Sequence, residues 1–371
     1  MNKITGIEVY PLLAKFKKPF SFSGGITRIS SKNIIIKITT SDGVTGIGEA
    51  CPVPGMSGET DVSICKVIKQ YFEPALIGKN PLDFAVLTNQ LEKLLGGNVV
   101  AKAGINIALY DLVGKMLNVP IYTLLGGKFR DYIDINGSVG MGTAAEMLAT
   151  SEEQMAESGA HYLKLYCGRD NINKDVKKLK EIIKGIDGRA EVFLDVNQQW
   201  STKEAIRAIR MLEEDVEILL VEQPTPKWDL EGLRLVTESV NTPIAADEAV
   251  FSIQDISLLA LNRSVDLITV YAQKPGGILR GHEAIKLSNA MGLDCFMGSY
   301  IELGVGTSAT AHLAASIPVL KYPCYMYGQF KYQQDVLAEP FDIKDGKFKV
   351  PDGPGLGIEL DEEKLDFMKA K

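Results

Sequence analysis

The chain has 371 residues, 46% hydrophobic and 23% charged, ordinary proportions for a soluble globular protein but too long for one compact core. Its formal net charge of -7 argues against a nucleic-acid surface, and no basic cluster alternates with aromatics. The opening stretch MNKITGIEVYPLLAKF has no apolar run ahead of a small-residue cleavage site, and no stretch approaches the roughly 18 apolar residues of a membrane helix, so the expectation is a cytoplasmic protein without a membrane partner.

The first third of the chain reads as an α+β domain over residues 1–125. KITGIEVYPL and NIIIKITTSDGVTGIGEA are β-rich, the second split by a Ser-Asp-Gly turn that predicts a hairpin. Helical stretches follow over 60–76, 82–95 and 99–117, the last with apolar residues at helical spacing. A break at NVPIYTLLGG ends the domain.

From 126 to 330 the pattern is periodic. Strand-like runs (DINGSVG, YLKLYC, VFLDVNQ, LLVEQP, PIAADEA, LITVYA, CFMGSY, YPCYMYG) alternate with amphipathic stretches of helical length. From Lys164 through Asp195, Glu222, Asp247 and Tyr271 to Ser299 the intervals are 31, 27, 25, 24 and 28 residues. A βα unit recurring about eight times at that length predicts an α/β fold of the TIM-barrel type, whose active site lies at the C-terminal ends of the strands. An open doubly wound sheet would carry a Gly-rich phosphate loop after its first strand, and none is seen. Residues 331–371 form a separate C-terminal segment.

The five cysteines (Cys51, Cys65, Cys167, Cys295, Cys324) are scattered without a CxxC pair, which favours neither a disulfide framework nor zinc. Of the three histidines, His312 reads as helix packing, His282 lies in a helical stretch and His161 precedes a strand. The chemistry therefore falls to carboxylates, lysines and tyrosines. Asp195, Glu222 and Asp247 end successive strands, and if they converge, their like charges need a cation to coexist. Three hard oxygen ligands without His or Cys favour Mg²⁺, or Mn²⁺, as a Lewis acid. The bland alternative is three structural ion pairs with lysines of neighbouring strands.

LDVNQQW, LVEQP and AADEAV, in this order and spacing, resemble the three metal-ligand strands of the enolase superfamily, best its muconate-lactonizing subgroup. The resemblance extends to FKKPFSFSGG, DGVTGIGEA and GSYIELGVGTSATAHLAAS. It implies a (β/α)₇β barrel closed by the N-terminal capping domain, with the C-terminal segment returning to the cap. It also implies Asp195, Glu222 and Asp247 as metal ligands, a small-molecule carboxylate substrate handled through an enediolate, and a homo-oligomer. Glu248 is expected to point away from Asp247 by strand alternation.

Members of that subgroup carry K-x-K at the end of strand two and a further lysine at the end of strand six. Here strand two reads Lys164-Leu165-Tyr166, and counting back from Gly276-Gly277 puts Tyr271 at the strand-six position. Lys164, Tyr166 and Tyr271 are thus the catalytic candidates. A phenol of pKa near ~10 is a usable acid, and Lys164 beside Tyr166 is expected to lower the latter's pKa. Tyrosine is equally at home as a barrel packing residue with a hydrogen-bonding tip. Asn197, Ser299, Tyr300, Glu302, Tyr327 and Arg28 are the candidates for substrate contact. The stretch Tyr325–Gly328 has no acid where dipeptide epimerases hold a substrate ammonium. The expected activity is a Mg²⁺-dependent isomerase, racemase- or epimerase-like, abstracting a proton α to a carboxylate. The alternatives are a dehydratase or cycloisomerase, or an inactive metal- and carboxylate-binding homologue.

Overall fold

A computed structural model describes residues 2–370. The N-terminal region is a three-stranded antiparallel sheet, Ile4–Ser21, Thr27–Thr40 and Thr45–Ala50 in that order, backed by helices. The last two strands turn through Ser41-Asp42-Gly43, with Gly43 at φ +86° and Thr40 N donating to Val44 O at 3.0 Å. Helical residues run over Asp61–Leu76, with a π-helical turn at Ile68–Phe72, and over Phe84–Leu94 and Val99–Leu117. The Val99–Leu117 helix is buried over most of its length and lies directly on the third strand. The GxG of DGVTGIGEA makes that approach possible. A Cβ at Gly48 would run into the Gly104 carbonyl, and one at Gly46 into Ala108 O and Leu112.

The remainder is a barrel. Seven parallel strands lie side by side in sequence order: Gly137–Val139, Tyr162–Tyr166, Glu191–Asp195, Val221–Glu222, Ile244–Ala246, Leu267–Val270 and Asp294–Met297. A helix follows each one. The eighth strand is only a short bridge. Tyr325 N donates to Met297 O at 2.8 Å on one side, while Cys324 N donates to Asp134 O at 2.8 Å and Asn136 N to Cys324 O at 3.2 Å on the other. The sheet edges are thereby joined, giving the TIM-type barrel that the residue spacing predicts in the (β/α)₇β form that the resemblance implies.

The outer helices are amphipathic for local reasons. Ile172–Ile186 buries Val176, Leu179, Ile182 and Ile186 on one stripe. Capping boxes start Ala144–Ser158 (Thr143 with Glu146) and Thr202–Glu213 (Ser201 with Glu204). The C-terminal segment crosses back to the first domain. Ala370 N donates to Pro11 O at 2.8 Å, and Leu356 N donates to Asp111 Oδ1 at 2.8 Å.

Two buried carboxylates fasten the layers. Glu49 at the end of the cap sheet accepts from Asn33 Nδ2 (2.7 Å) and from Leu303 N and Gly306 N (both 2.8 Å), at the N-terminus of the seventh barrel helix, Gly304–Ala315. Asp111 accepts from Ile47 N (2.7 Å), Leu356 N and Lys115 Nζ (2.6 Å), tying sheet, helix and C-terminal segment at one point. His312, in the Gly304–Ala315 helix, is fully buried, donating Nε2 to Leu356 O at 3.0 Å and facing Tyr122, which is the packing role expected of it.

Candidate active site

At the C-terminal ends of the barrel strands stands a buried cluster of four carboxylates and two ammonium groups. Register aligns Tyr166 with Asp195, and Asp195 with Glu222, on neighbouring strands. Lys164 Nζ lies 3.1 Å from Asp195 Oδ2 and 2.5 Å from Glu222 Oε2. Asp247 is held by Lys274 Nζ, at 2.5 Å from Oδ1 and 2.8 Å from its own carbonyl, and by Tyr271, whose hydroxyl donates to Oδ2 at 2.7 Å. Glu222 Oε1 also accepts from Thr269 Oγ1 at 2.9 Å.

The expectation that Glu248 points away is not met. The fifth strand ends at Ala246, so period-two alternation no longer governs the residues after it. Asp247 and Glu248 are both buried, and Glu248 Oε1 accepts from Asn197 Nδ2 at 3.2 Å. Asn197 N in turn donates to Asp195 Oδ1 at 3.0 Å, so Asn197 joins two of the acids.

The crowding shows in the electrostatics. Burial pushes the Glu222 carboxyl up to about 8, with Asp195 and Asp247 adding to the rise and Lys164 opposing it. Burial and Asp247 raise Glu248 well above the usual carboxylate range. Burial also raises Asp195, against the pull of Lys164. The two phenols move the same way. Tyr166 is raised well above the free phenol by burial, and the lowering by Lys164 does not prevail, contrary to the expectation from sequence. Tyr271 is raised by burial and by Asp247 and Glu222.

Local backbone is bent to serve the cluster. Asn197 (φ 42°), Gln198 (φ 70°) and Gln223 (φ 37°) adopt the left-handed region just after the third and fourth strands, as does Ile301 (φ 65°) after the seventh. Gln223 earns its conformation: Oε1 accepts from Asp247 N (2.9 Å) and Ala249 N (3.1 Å), fixing the loop that carries Asp247 and Glu248.

The other candidates divide. Tyr300 is buried, packs edge-to-face on Tyr271 with ring centroids 4.9 Å apart, and its hydroxyl has no partner among the described residues. Ser299 and Glu302 bond to each other, and Glu302 accepts from Tyr300 N at 3.1 Å, so they brace the strand-seven loop. Arg28 lies over the Phe22 ring at 5.2 Å and makes no ion pair among the described residues. Tyr327 does not join the site. Its ring stacks on Phe330 at 4.6 Å and its hydroxyl turns to Glu157 at 3.4 Å, on the first barrel helix.

Three participants escaped the sequence reading. Lys274 was visible as a charged residue in QKPGG directly after strand six, but its reach back to Asp247 is tertiary. Phe20 and Phe22 come from the first cap hairpin and set their edges on Tyr166, at 5.3 and 5.5 Å between centroids.

Among the described residues no three acid, histidine or cysteine side chains already surround one point. The donor set nevertheless fits a hard dication. The cluster's four acids exceed its two ammonium groups, and Glu248 Oε2 and Asn197 Oδ1 are buried acceptors without a donor. Mutual repulsion and desolvation of this kind are relieved by added positive charge.

Comparison with known proteins identifies the family. Residues 6–126 match the model for the mandelate racemase / muconate lactonizing enzyme N-terminal domain, and residues 134–364 that for the enolase C-terminal domain-like fold. The chain is 35% identical to the L-Ala-D/L-Glu epimerase of Bacillus subtilis (strain 168) and 32% identical to muconate cycloisomerase 1 of Rhodococcus opacus, each match covering 96% of both chains. The crystal structure of muconate lactonizing enzyme from Pseudomonas fluorescens complexed with muconolactone superposes with a TM-score of 0.96 over 100% of both chains, at 29% identity. The chain belongs to the mandelate racemase/muconate lactonizing enzyme family of the enolase superfamily. It is an enzyme of the isomerase or lyase kind, and a magnesium requirement fits the family.

Proposed function

We propose that the protein is a Mg²⁺-dependent isomerase that removes a proton from the carbon next to a substrate carboxylate and returns it, in the manner of a racemase or epimerase. One observation carries this reading. Proton-bearing groups on opposite walls of the ring, the second and sixth strands, bear on one buried carboxylate cluster: Lys164 Nζ on Asp195 and Glu222, Tyr271 Oη on Asp247.

Asp195, Glu222 and Asp247 would hold the Mg²⁺, with Glu248 and Asn197 beside them. When bound, the ion supplies Lewis-acid stabilisation of the negative charge that develops on the substrate carboxylate. On the sixth-strand wall Tyr271 keeps its proton, because its site is dry and its neighbours are anionic, and it serves as the donor. On the second-strand wall Lys164 and Tyr166 share one face, with Nζ 5.7 Å from the phenol ring. Burial resists a phenolate there and the adjacent ammonium opposes this only in part, so Tyr166 keeps its proton and orients the substrate beside Lys164, the proton-carrying group of this wall. Phe20 and Phe22 keep water from that wall. Arg28, without an acid of its own, suits a substrate carboxylate entering beneath the cap.

Dehydration or cycloisomerisation needs a group on one face only, so the two-wall arrangement favours isomerisation. Incubation with Mg²⁺ in D₂O, across acid sugars, N-acylamino acids and dipeptides, should yield deuterium at the α-carbon of one class. Ligands that bind without any exchange would sink the catalytic reading in favour of a binding protein. Cytoplasmic residence and homo-oligomer formation belong to the same proposal, supported by five unpaired cysteines and by exposed Ile26, Ile29 and Trp228 near the barrel mouth. Light scattering on the purified protein tests the assembly.

A further inference from the structure

Tyr300 carries a phenol proton that no neighbour takes. The residue follows the seventh barrel strand, is 3% exposed, and sets its ring edge-to-face on that of Tyr271, with centroids 4.9 Å apart. The two hydroxyls differ in what they do. That of Tyr271 donates to Asp247 Oδ2 at 2.7 Å, whereas that of Tyr300 has no partner among the described residues. Buried hydroxyls are nearly always bonded, so one left over beside a carboxylate cluster points to a ligand.

The acids whose charge is felt at this phenol, Asp247, Glu302 and Glu59, are all engaged with other donors. Asp247 is held by Lys274 and Tyr271. Glu302 accepts from Tyr300 N at 3.1 Å and from the Ser299 hydroxyl. Glu59, in the cap, accepts from Val100 N at 2.9 Å and Ala101 N at 3.0 Å, at the start of the Val99–Leu117 helix. Of the three, Asp247 acts most strongly on the phenol, which ties Tyr300 to the cluster rather than to the cap. Burial and these anions raise the Tyr300 pKa well above that of a free phenol, so the group is present as a neutral donor.

The backbone is strained to hold the ring in place. Ile301, a β-branched residue, sits at φ 65°, a region such residues rarely enter. Its N–H donates to Ser299 Oγ at 2.8 Å, and its carbonyl receives the Tyr332 hydroxyl. From the cap, Cys51 Sγ donates to Tyr300 O at 3.3 Å. A dry, preoriented neutral donor is suited to negative charge that develops during a reaction, because nothing has to reorganise when the charge arrives.

We propose that the Tyr300 hydroxyl is a catalytic hydrogen-bond donor, which takes an oxygen of the substrate carboxylate and binds it more strongly as the enediolate forms. The proton on carbon is left to Tyr271 and to the second-strand wall. This rests on the reading that the substrate carboxylate sits at the Asp195, Glu222 and Asp247 cluster. It separates Tyr300 from its loop neighbours Ser299 and Glu302, whose polar groups already satisfy each other.

Calorimetric titration of the Mg²⁺-saturated protein with acetohydroxamate, a planar mimic of an enediolate, tests this without a known substrate. Tyr300→Phe deletes one oxygen and keeps the ring. The variant should bind acetohydroxamate about tenfold more weakly than the wild type, the scale of one hydrogen bond to a charged group. Its Mg²⁺ affinity should be unchanged, and it should melt no lower, since the hydroxyl it loses was unpaired. Equal affinity for acetohydroxamate in the two proteins, or no binding by the wild type, overturns the assignment. A lower melting temperature or weaker Mg²⁺ binding in Tyr300→Phe makes the hydroxyl structural and overturns it too. With any substrate that takes up α-deuterium, kcat should fall about 100-fold in Tyr300→Phe while KM barely moves, and an unchanged kcat rules out the catalytic role. Weakened hydroxamate binding without exchange by the wild type would remove the isomerase reading and leave Tyr300 as a ligand donor; exchange with equal hydroxamate affinities would do the reverse.

Discussion

Lys164 and Lys274 each lean on acids that a Mg²⁺ ion would also use, so lysine and metal share the charge-balancing of one cluster. Removing an acid should therefore be felt first in metal affinity. Asp195→Ala is expected to weaken Mg²⁺ binding by about 100-fold, the scale on which removing ligands or their supports acts. Direct titration of the folded variant checks it, and wild-type affinity would place the metal elsewhere. At this scale the sequence was informative where the chemistry is local. Asp195, Glu222 and Asp247 could be read from successive strand ends, whereas the placement of Tyr166 and Tyr271 at the lysine positions rests on the resemblance alone. Glu248 was misread because strand alternation was carried past Ala246, where the strand stops. Tyr327 was misread because nothing in YMYG discloses that Glu157, 170 residues earlier, takes its hydroxyl.

Helices and strands were the most legible level. The stretches read as helical over 60–76, 82–95 and 99–117 are helical, since apolar spacing and turn chemistry are written locally. The eighth strand was also read, as YPCYMYG, although in the structure it shortens to a bridge at Cys324 and Tyr325. The Gly304–Ala315 helix carries a test of its own. Burial lowers the His312 pKa to about 4, against about 6.5 in an unfolded chain. Between these values the unfolded state binds a proton that the folded state does not, so stability is full above about pH 6.5 and falls as pH drops towards 4. The loss is on the order of 3 kcal/mol when complete. Urea midpoints measured from pH 7 to pH 4 should decline more steeply in the wild type than in His312→Gln, and parallel declines would refute the assignment.

Over the whole molecule the cap and barrel act as one catalytic body only if they stay fastened. Glu49 supplies the fastening by accepting two backbone N–H groups of the Leu303–Gly306 segment and one side-chain amide of the cap. Glu49→Ala leaves those donors buried and unpaired, and is expected to cost about 2–4 kcal/mol, read as a lowered urea midpoint. An unchanged midpoint would mean that the interface does not depend on it. Such long-range fastening is what a single sequence conceals. GIGEA announces close packing through its glycines, yet not that its glutamate caps a helix more than 250 residues away.

The account's central claim is proton transfer across the two walls of the barrel, and the stereochemical course of the reaction tests it most directly. A single enantiomer of a substrate found by exchange screening, incubated with Mg²⁺ in D₂O and followed by NMR and chiral chromatography, should invert with the wild type and carry deuterium in the product. Tyr271→Phe, which deletes one oxygen from the sixth-strand wall, should slow inversion by about 100-fold while exchange with retention persists at the Lys164–Tyr166 wall. Inversion at the wild-type rate in Tyr271→Phe, or product formed without solvent deuterium, would contradict it.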